Sequence, residues 1–246
     1  MSDPIKVYSY RELVQIVARI SYHNPDYSLF FRGQGIDYKL SSGASSFYPT
    51  IYRKQGVSLS KKELGGRFSK LDQCAAELIM DLNSNEVEGT SKLNRFPELL
   101  WSILQHYGVC GTPLLDVTHS LRVAASFAFL DGDAKAYLFI FALPYPQGTI
   151  TYSVEGELLT IRLLSACPSD ALRPHFQEGY LIGTFPSRAE KKNPQLDFGR
   201  RLIAKIELVK ERFWDNEFPM FPRNALYPED DYIEDICAEI QAKYSD

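Results

Sequence analysis

Apolar and polar positions along this chain follow first a helical and then a strand period. Leu13, Val14, Ile16, Val17 and Ile20 form one apolar stripe. Ser9-x-x-Glu12 ahead of them is a capping box, so a first helix starts there. The stripe breaks at Asn24-Pro25-Asp26. The run Tyr27-Ser-Leu-Phe-Phe-Arg-Gly33 then reads as a short aromatic strand ending at a glycine. Residues 35–58, rich in Ser, Gly and Tyr, read as irregular loop. Ser60-x-x-Glu63 is a second capping box and opens a helix to about Leu82, weakened in its first turns by Gly65-Gly66. Residues 83–90 are polar and turn-like. A third helix is expected over 97–107, with Pro97 early and Gly108 at its end.

From there the strand period takes over. Thr112-Pro-Leu-Leu-Asp-Val-Thr118 reads as a strand, and Ser120 stands where it can cap a helix over 122–130 that stops at Gly132. Ala124, Ala125 and Ala128 make that helix slim enough to lie close on a sheet. Tyr137-Leu-Phe-Ile-Phe-Ala-Leu143 is a strongly apolar strand. Further strands are expected over 149–154, 157–163, 179–185 and 201–209, and a short helix over 169–177. A last helix opens at Pro228 and the acidic Glu229-Asp230-Asp231 and runs to about Tyr244. Helices early and strands in the middle make an α+β chain, a helical N-terminal half packed on a mixed, mostly antiparallel sheet.

Composition narrows the classes. With 45 % apolar and 24 % charged residues among 246, the chain is too apolar to be disordered. A net charge of −4, from 27 basic and 31 acidic residues, argues against a dedicated non-specific DNA binder. No apolar run approaches the roughly 20 residues that span a bilayer, and MSDPIKVYSYRELV shows no secretory pattern, so a cytoplasmic protein is expected. Cys74, Cys110, Cys167 and Cys237 lie far apart without zinc spacing and read as reduced thiols. No glycine-rich Rossmann or Walker loop is present in the sequence.

Two segments carry a family resemblance. One is Phe31-Arg32-Gly33. The other runs from Gln105-His106-Tyr107-Gly108 through Thr112, Leu114-Leu115-Asp116, Thr118 and Ser120 to Ala124, Phe127 and Ala128. Together they resemble the FRG domain family. The resemblance continues more weakly in Arg173-x-x-x-Gln177-x-Gly179 and in Phe218-Pro-Met-Phe-Pro222. Where Pro113 and Val117 stand, the family pattern implies Arg and Trp. The resemblance implies a single FRG-type domain over 1–246, with a motif core at about 27–185 and a C-terminal helix at about 228–244. The order of parts is also similar to the ADP-ribosyltransferase fold. That fold has an Arg or His ending an early strand, a Ser/Thr-rich strand end feeding a helix, and a late strand carrying a Glu. Here the matching parts are Arg32, Asp116-Val-Thr-His-Ser120 and Gln177-Glu178.

This second resemblance implies NAD as substrate, with ADP-ribose transferred to an unknown acceptor (protein or nucleic acid) or NAD hydrolysed. A bacterial toxin or anti-phage effector would use such chemistry. Breaking the nicotinamide–ribose bond puts positive charge on the ribose, which a carboxylate stabilises. Glu178 suits that role if it faces the cleft. On a strand, however, Gln177 and Glu178 would point to opposite faces, and the family pattern favours Gln177. Glu155 and Glu157 would share one strand face, although a solvated strand edge is the plainer reading. Arg32 would bind phosphate or ribose oxygens, and Gly33 would let backbone approach the ligand. His106 would position the ligand or carry a proton, and Asp116 would hold Arg32 or His106. Tyr107 would stack on a base, or be a core ring, and Thr118 would hydrogen-bond the ligand. Ser120 reads more simply as an N-cap, and Arg173 as a ligand contact or an exposed helix arginine. Two other readings stand beside the enzyme: a non-catalytic module binding a nucleotide or nucleic-acid end, and a nuclease using His106 and Arg32. None of them calls for a metal or a membrane.

Overall fold

A computed structural model of the chain describes residues 4–53, 59–130 and 136–245. The expected helix stop at Gly132 and part of the 35–58 loop lie outside the described residues. The first elements are strand β1 (Ile5–Val7), helix α1 (Tyr10–Tyr22), β2 (Ser28–Gln34), α2 (Lys61–Ser84), the one-turn α3 (Thr90–Leu93) and α4 (Pro97–His106). Next come β3 (Leu114–Thr118), α5 (Leu121–Phe129), β4 (Ala136–Leu143), β5 (Ile150–Ser153), β6 (Leu158–Arg162) and the short α6 (Leu163–Ala166). The chain ends with α7 (Leu172–Phe176), β7 (Gly179–Thr184), β8 (Leu202–Leu208), α8 (Arg223–Leu226) and α9 (Tyr232–Lys243). The chain is α+β. Its elements assemble into two compact units built from interleaved stretches. Met1–Phe47, Val117–Tyr145 and Phe198–Tyr227 form the first unit; Tyr48–Asp116, Pro146–Asp197 and Pro228–Asp246 form the second.

In the first unit β1, β8, β4 and β2 lie side by side in that order, with β1 parallel to β8 and the other pairs antiparallel. The end of β3 joins β2 through the pair Phe31 and Thr118. One face of this mixed sheet is apolar: Phe31, Leu138, Ile140, Ile206 and Leu208 cluster with Leu13 of α1 and with Ala124, Ala125 and Ala128 of α5. Ser9 caps α1 by accepting from the Glu12 N–H at 3.1 Å, and the Glu12 carboxylate reaches back to the Tyr8 N–H at 2.9 Å. The small residues of α5 have a consequence on β2. A Cβ placed on Gly33 would stand 1.7 Å from the Ala124 carbonyl oxygen and 2.8 Å from the Ala128 nitrogen. Gly33 is therefore glycine because a helix backbone lies against it.

Alternation along β2 sends Arg32 to the opposite face from Gly33. There it lies in register with Phe139, which is itself in register with Lys205. Lys205 donates to the buried Asp37 at 2.9 Å, which ties the loop after β2 to the sheet.

In the second unit the Ser60 box forms in full. The Glu63 N–H donates to Ser60 Oγ at 3.2 Å, and the Ser60 N–H to the Glu63 carboxylate at 2.9 Å. Strands β7, β6 and β5 make an antiparallel meander. The core gathers Leu71, Leu78 and Leu82 of α2, Leu99, Ile103 and Leu104 of α4, and Ile236 and Ile240 of α9. Glu155 and Glu157 do not share a strand face. They occupy the turn between β5 and β6, exposed, with Glu157 in the left-handed region at φ 48°. The four residues between β5 and β6 form this turn, so the strand pattern stops short of the carboxylates.

The buried thiols of this unit set a pH limit. Burial pushes the Cys167 thiol from 9.0 up to about 12. Burial, then Cys167 and Asp231, push Cys237 up further. The unfolded chain releases these protons near the ordinary thiol value while the folded chain keeps them, so above about pH 9 unfolding is favoured. Each thiol then costs about 1.4 kcal/mol of stability per pH unit. The urea midpoint should fall steeply between about pH 9 and pH 11, and less steeply in Cys167→Ala. An equal slope in both would show that the thiols are not the cause.

Candidate functional site

The first unit holds a cavity of about 260 Å³ at the end of β2. Arg32, Gly33, Gln34 and Gly35 form its strand wall, and Phe127 and Leu130 its α5 wall. Ile36 and Tyr38 of the following loop and Arg223 and Tyr227 close it. The last two arrive on a segment fastened to α5. Arg122 donates to the Pro219 carbonyl at 2.8 Å and lies over the Phe221 ring, 4.2 Å from its centroid, while Ser126 Oγ accepts from the Phe221 N–H at 3.0 Å. The Phe218–Pro222 run thus delivers Arg223 to the cavity rim. The Arg223 guanidinium sits over the Tyr227 ring at 5.2 Å, and Tyr227 meets Phe127 edge-on at 6.0 Å. Among the described residues the lining has two arginines and no carboxylate.

Thr118 and Ser120 are also in the first unit. Thr118 is buried, and its Oγ1 accepts from the Ser120 N–H at 3.0 Å. Ser120 stands at the N-cap position of α5 but makes no cap bond through its side chain. The Thr118 hydroxyl takes over the local backbone donor instead.

The second unit holds His106, Tyr107, Asp116, Gln177 and Glu178. Asp116 contacts His106: Oδ1 lies 3.3 Å from the imidazole Nδ1, and Oδ2 accepts from Gln105 Nε2 at 2.8 Å. Tyr107 is a buried ring, not an open stacking surface. Its hydroxyl donates to Asp231 at 2.7 Å, and burial, then Asp231, push its phenol well above the ordinary value. Arg173 is buried rather than exposed. It lies over the Tyr107 ring at 4.9 Å, donates to the His106 carbonyl at 3.3 Å and pairs with Glu234.

Gln177 and Glu178 are not strand residues either. Gln177 ends α7 in helical geometry, Glu178 follows at φ 46°, and β7 starts only at Gly179. Alternation across a strand therefore does not govern them. Gln177 is buried and Glu178 exposed because a left-handed residue terminates the helix between them and the strand.

Residues 27–136 match the sequence model of the FRG domain family. They are an FRG domain. No curated protein and no solved structure matches the chain. The FRG domain supplies β2, α4, β3 and α5, and so carries Arg32, Gly33, His106, Tyr107, Asp116, Thr118 and Ser120. Arg223 and Tyr227 lie beyond it, and sequence reasoning missed both. The available signal was the Phe218–Pro222 run, whose aromatic and proline residues stand immediately before Arg223. Asp231, Tyr38 and Phe127 were likewise not singled out as site residues, because each looks ordinary until its neighbours are placed.

Proposed function

We propose that the FRG domain and the segment after it bind a phosphate-bearing nucleotide in the cavity of the first unit. The observation that carries this reading is the lining: Arg223 with Tyr38, Phe127 and Tyr227, beside Arg32 and Gly33 of β2, and no carboxylate among the described lining residues. Guanidinium groups match phosphate through paired donors. Aromatic rings take the face of a base, worth about 1–3 kcal/mol per stacked base. A volume of about 260 Å³ suits a single nucleotide better than a whole dinucleotide. NAD would therefore seat one of its halves here.

Calorimetric titration with NAD, ADP-ribose, AMP and inorganic phosphate tests the reading. A nucleotide should bind, and Arg223→Ala should weaken it by about 10- to 100-fold, the loss expected for one charge-assisted contact. Silence with all four ligands, or an unchanged affinity in the folded variant, would reject it.

ADP-ribose transfer or NAD hydrolysis is the second reading. The contact between His106 and Asp116 favours it, because a carboxylate-held imidazole is suited to proton transfer. Glu178 is then the carboxylate proposed to stabilise the ribose. The toxin and anti-phage roles rest on this reading alone. Labelled NAD incubated with the protein and a lysate decides it: released nicotinamide or a labelled product supports the enzyme, and neither rejects it.

A further inference from the structure

We propose that His106 is the acceptor for a hydroxyl of a bound ligand, oriented for that purpose by a relay of side chains in the second unit. The relay starts at Thr50 and Thr112, whose hydroxyls donate to Gln105 Oε1 at 3.2 and 2.5 Å. With Oε1 so engaged, the amide cannot be turned over, and its Nε2 donates to Asp116 Oδ2 at 2.8 Å. Asp116 Oδ1 faces the imidazole Nδ1 at 3.3 Å. A carboxylate only accepts, so the ring proton stands on Nδ1 and Nε2 carries the lone pair.

That lone pair has nothing to accept from. His106 Nε2 is buried without a hydrogen-bond partner among the described residues. The side chain is 4 % exposed and Asp116 36 %, so the relay meets solvent at its carboxylate end and is sealed at the imidazole. Buried acceptors are almost always satisfied. A carbonyl oxygen or a fully ionised anion brings no proton and cannot satisfy this one, whereas a hydroxyl can. Arg173 holds the main chain at this point through the His106 carbonyl, so the imidazole is fixed from both ends.

The proposal is independent of the nucleotide cavity, and its test does not use Arg223. The full chain, labelled with nitrogen-15, is observed through its imidazole signals at mildly alkaline pH, with His106→Gln identifying the His106 pair. D-ribose and ADP-ribose are the hydroxyl probes, and sulfate is the control without a hydroxyl. Nε2 should carry the unprotonated signal. It should move to saturation with a hydroxyl probe and stay still with sulfate. Asp116→Asn should place the proton on Nε2 and abolish the response. Gln105→Ala should weaken the probe several-fold while keeping the proton on Nδ1, which covers the case of a misfolded Asp116 variant. A proton on Nε2 in the unsubstituted protein would overturn the proposal. So would an unprotonated Nε2 that no hydroxyl probe moves, which is the signature of a permanently bound water.

Discussion

Replacing Gly33 by alanine is expected to destabilise the first unit strongly. The new methyl would stand 1.7 Å from the Ala124 oxygen and 2.8 Å from the Ala124 carbon and the Ala128 nitrogen. All three are helix backbone, so no side chain can swing aside. Either α5 lifts off β2 or the strand bends away from it. Lifting α5 exposes Ala124, Ala125 and Ala128, which are at most 2 % exposed, and opens the cluster they share with Phe31, Leu138 and Ile140. Overpacking of a tight core costs about 1–3 kcal/mol when side chains can yield, so about 3 kcal/mol or more is expected here. For a chain of this length that lowers the melting temperature by about 6–12 °C. The same lesion widens the β2 and α5 walls of the cavity, so nucleotide affinity should fall with it. Gly65→Ala and Gly66→Ala are the controls. Nothing lies within 4 Å of either added methyl, and both positions are in the first turns of α2. Each should stabilise the protein by about 0.5–1 kcal/mol. A Gly33→Ala melt indistinguishable from the unsubstituted protein would show that α5 does not rest on β2.

The contrast between these glycines shows what sequence can and cannot carry. The Ser9 cap, the Ser60 capping box, the slim face of α5 and the apolar strand β4 follow from local rules, and they form where the pattern puts them. β1 escaped because three residues give no period to read, and only its pairing with β8 makes it a strand. The short helix expected over 169–177 and the strand expected from 179 both form, but strand alternation was applied to Gln177 and Glu178, which end α7 instead. The role of Gly33 was inverted for a related reason. The sequence states that something approaches closely, and only the packed structure identifies it as a helix. The cavity was half legible. Its β2 wall is the Phe-Arg-Gly motif itself, but Arg223 and Tyr227 come from nearly 200 residues away, brought in by contacts of Arg122 and Ser126 that no spacing announces.

Asp231→Ala should be the most damaging single change in the second unit. This carboxylate is 3 % exposed and satisfies four donors on three elements. Oδ2 accepts from the Tyr107 hydroxyl at 2.7 Å and from the Arg173 N–H at 2.8 Å. Oδ1 caps α9, accepting from the Ile233 N–H at 3.2 Å and the Glu234 N–H at 3.4 Å. Alanine leaves the Tyr107, Arg173 and Ile233 donors without this acceptor, while the Glu234 N–H keeps the Asp231 carbonyl at 2.9 Å. Loss of a cap costs about 0.5–2 kcal/mol, and each buried donor left unsatisfied about 1–3 kcal/mol. These costs share one site and do not add fully, so about 3–5 kcal/mol is expected. The melting temperature should then drop by about 6–20 °C. Two further variants separate the parts. Asp231→Asn keeps an oxygen for either the cap or the Tyr107 side but presents an N–H to the other, so it should fall between alanine and the unsubstituted protein. Tyr107→Phe removes one donor and keeps the ring beneath Arg173, so it should cost only about 1 kcal/mol. If Asp231→Ala cost no more than Tyr107→Phe, the carboxylate would not be what joins α4, α7 and α9. His106 directly precedes Tyr107, so the two ends of the same dipeptide give independent readouts: melting for the Asp231 side, and the imidazole signal for the Asp116 side.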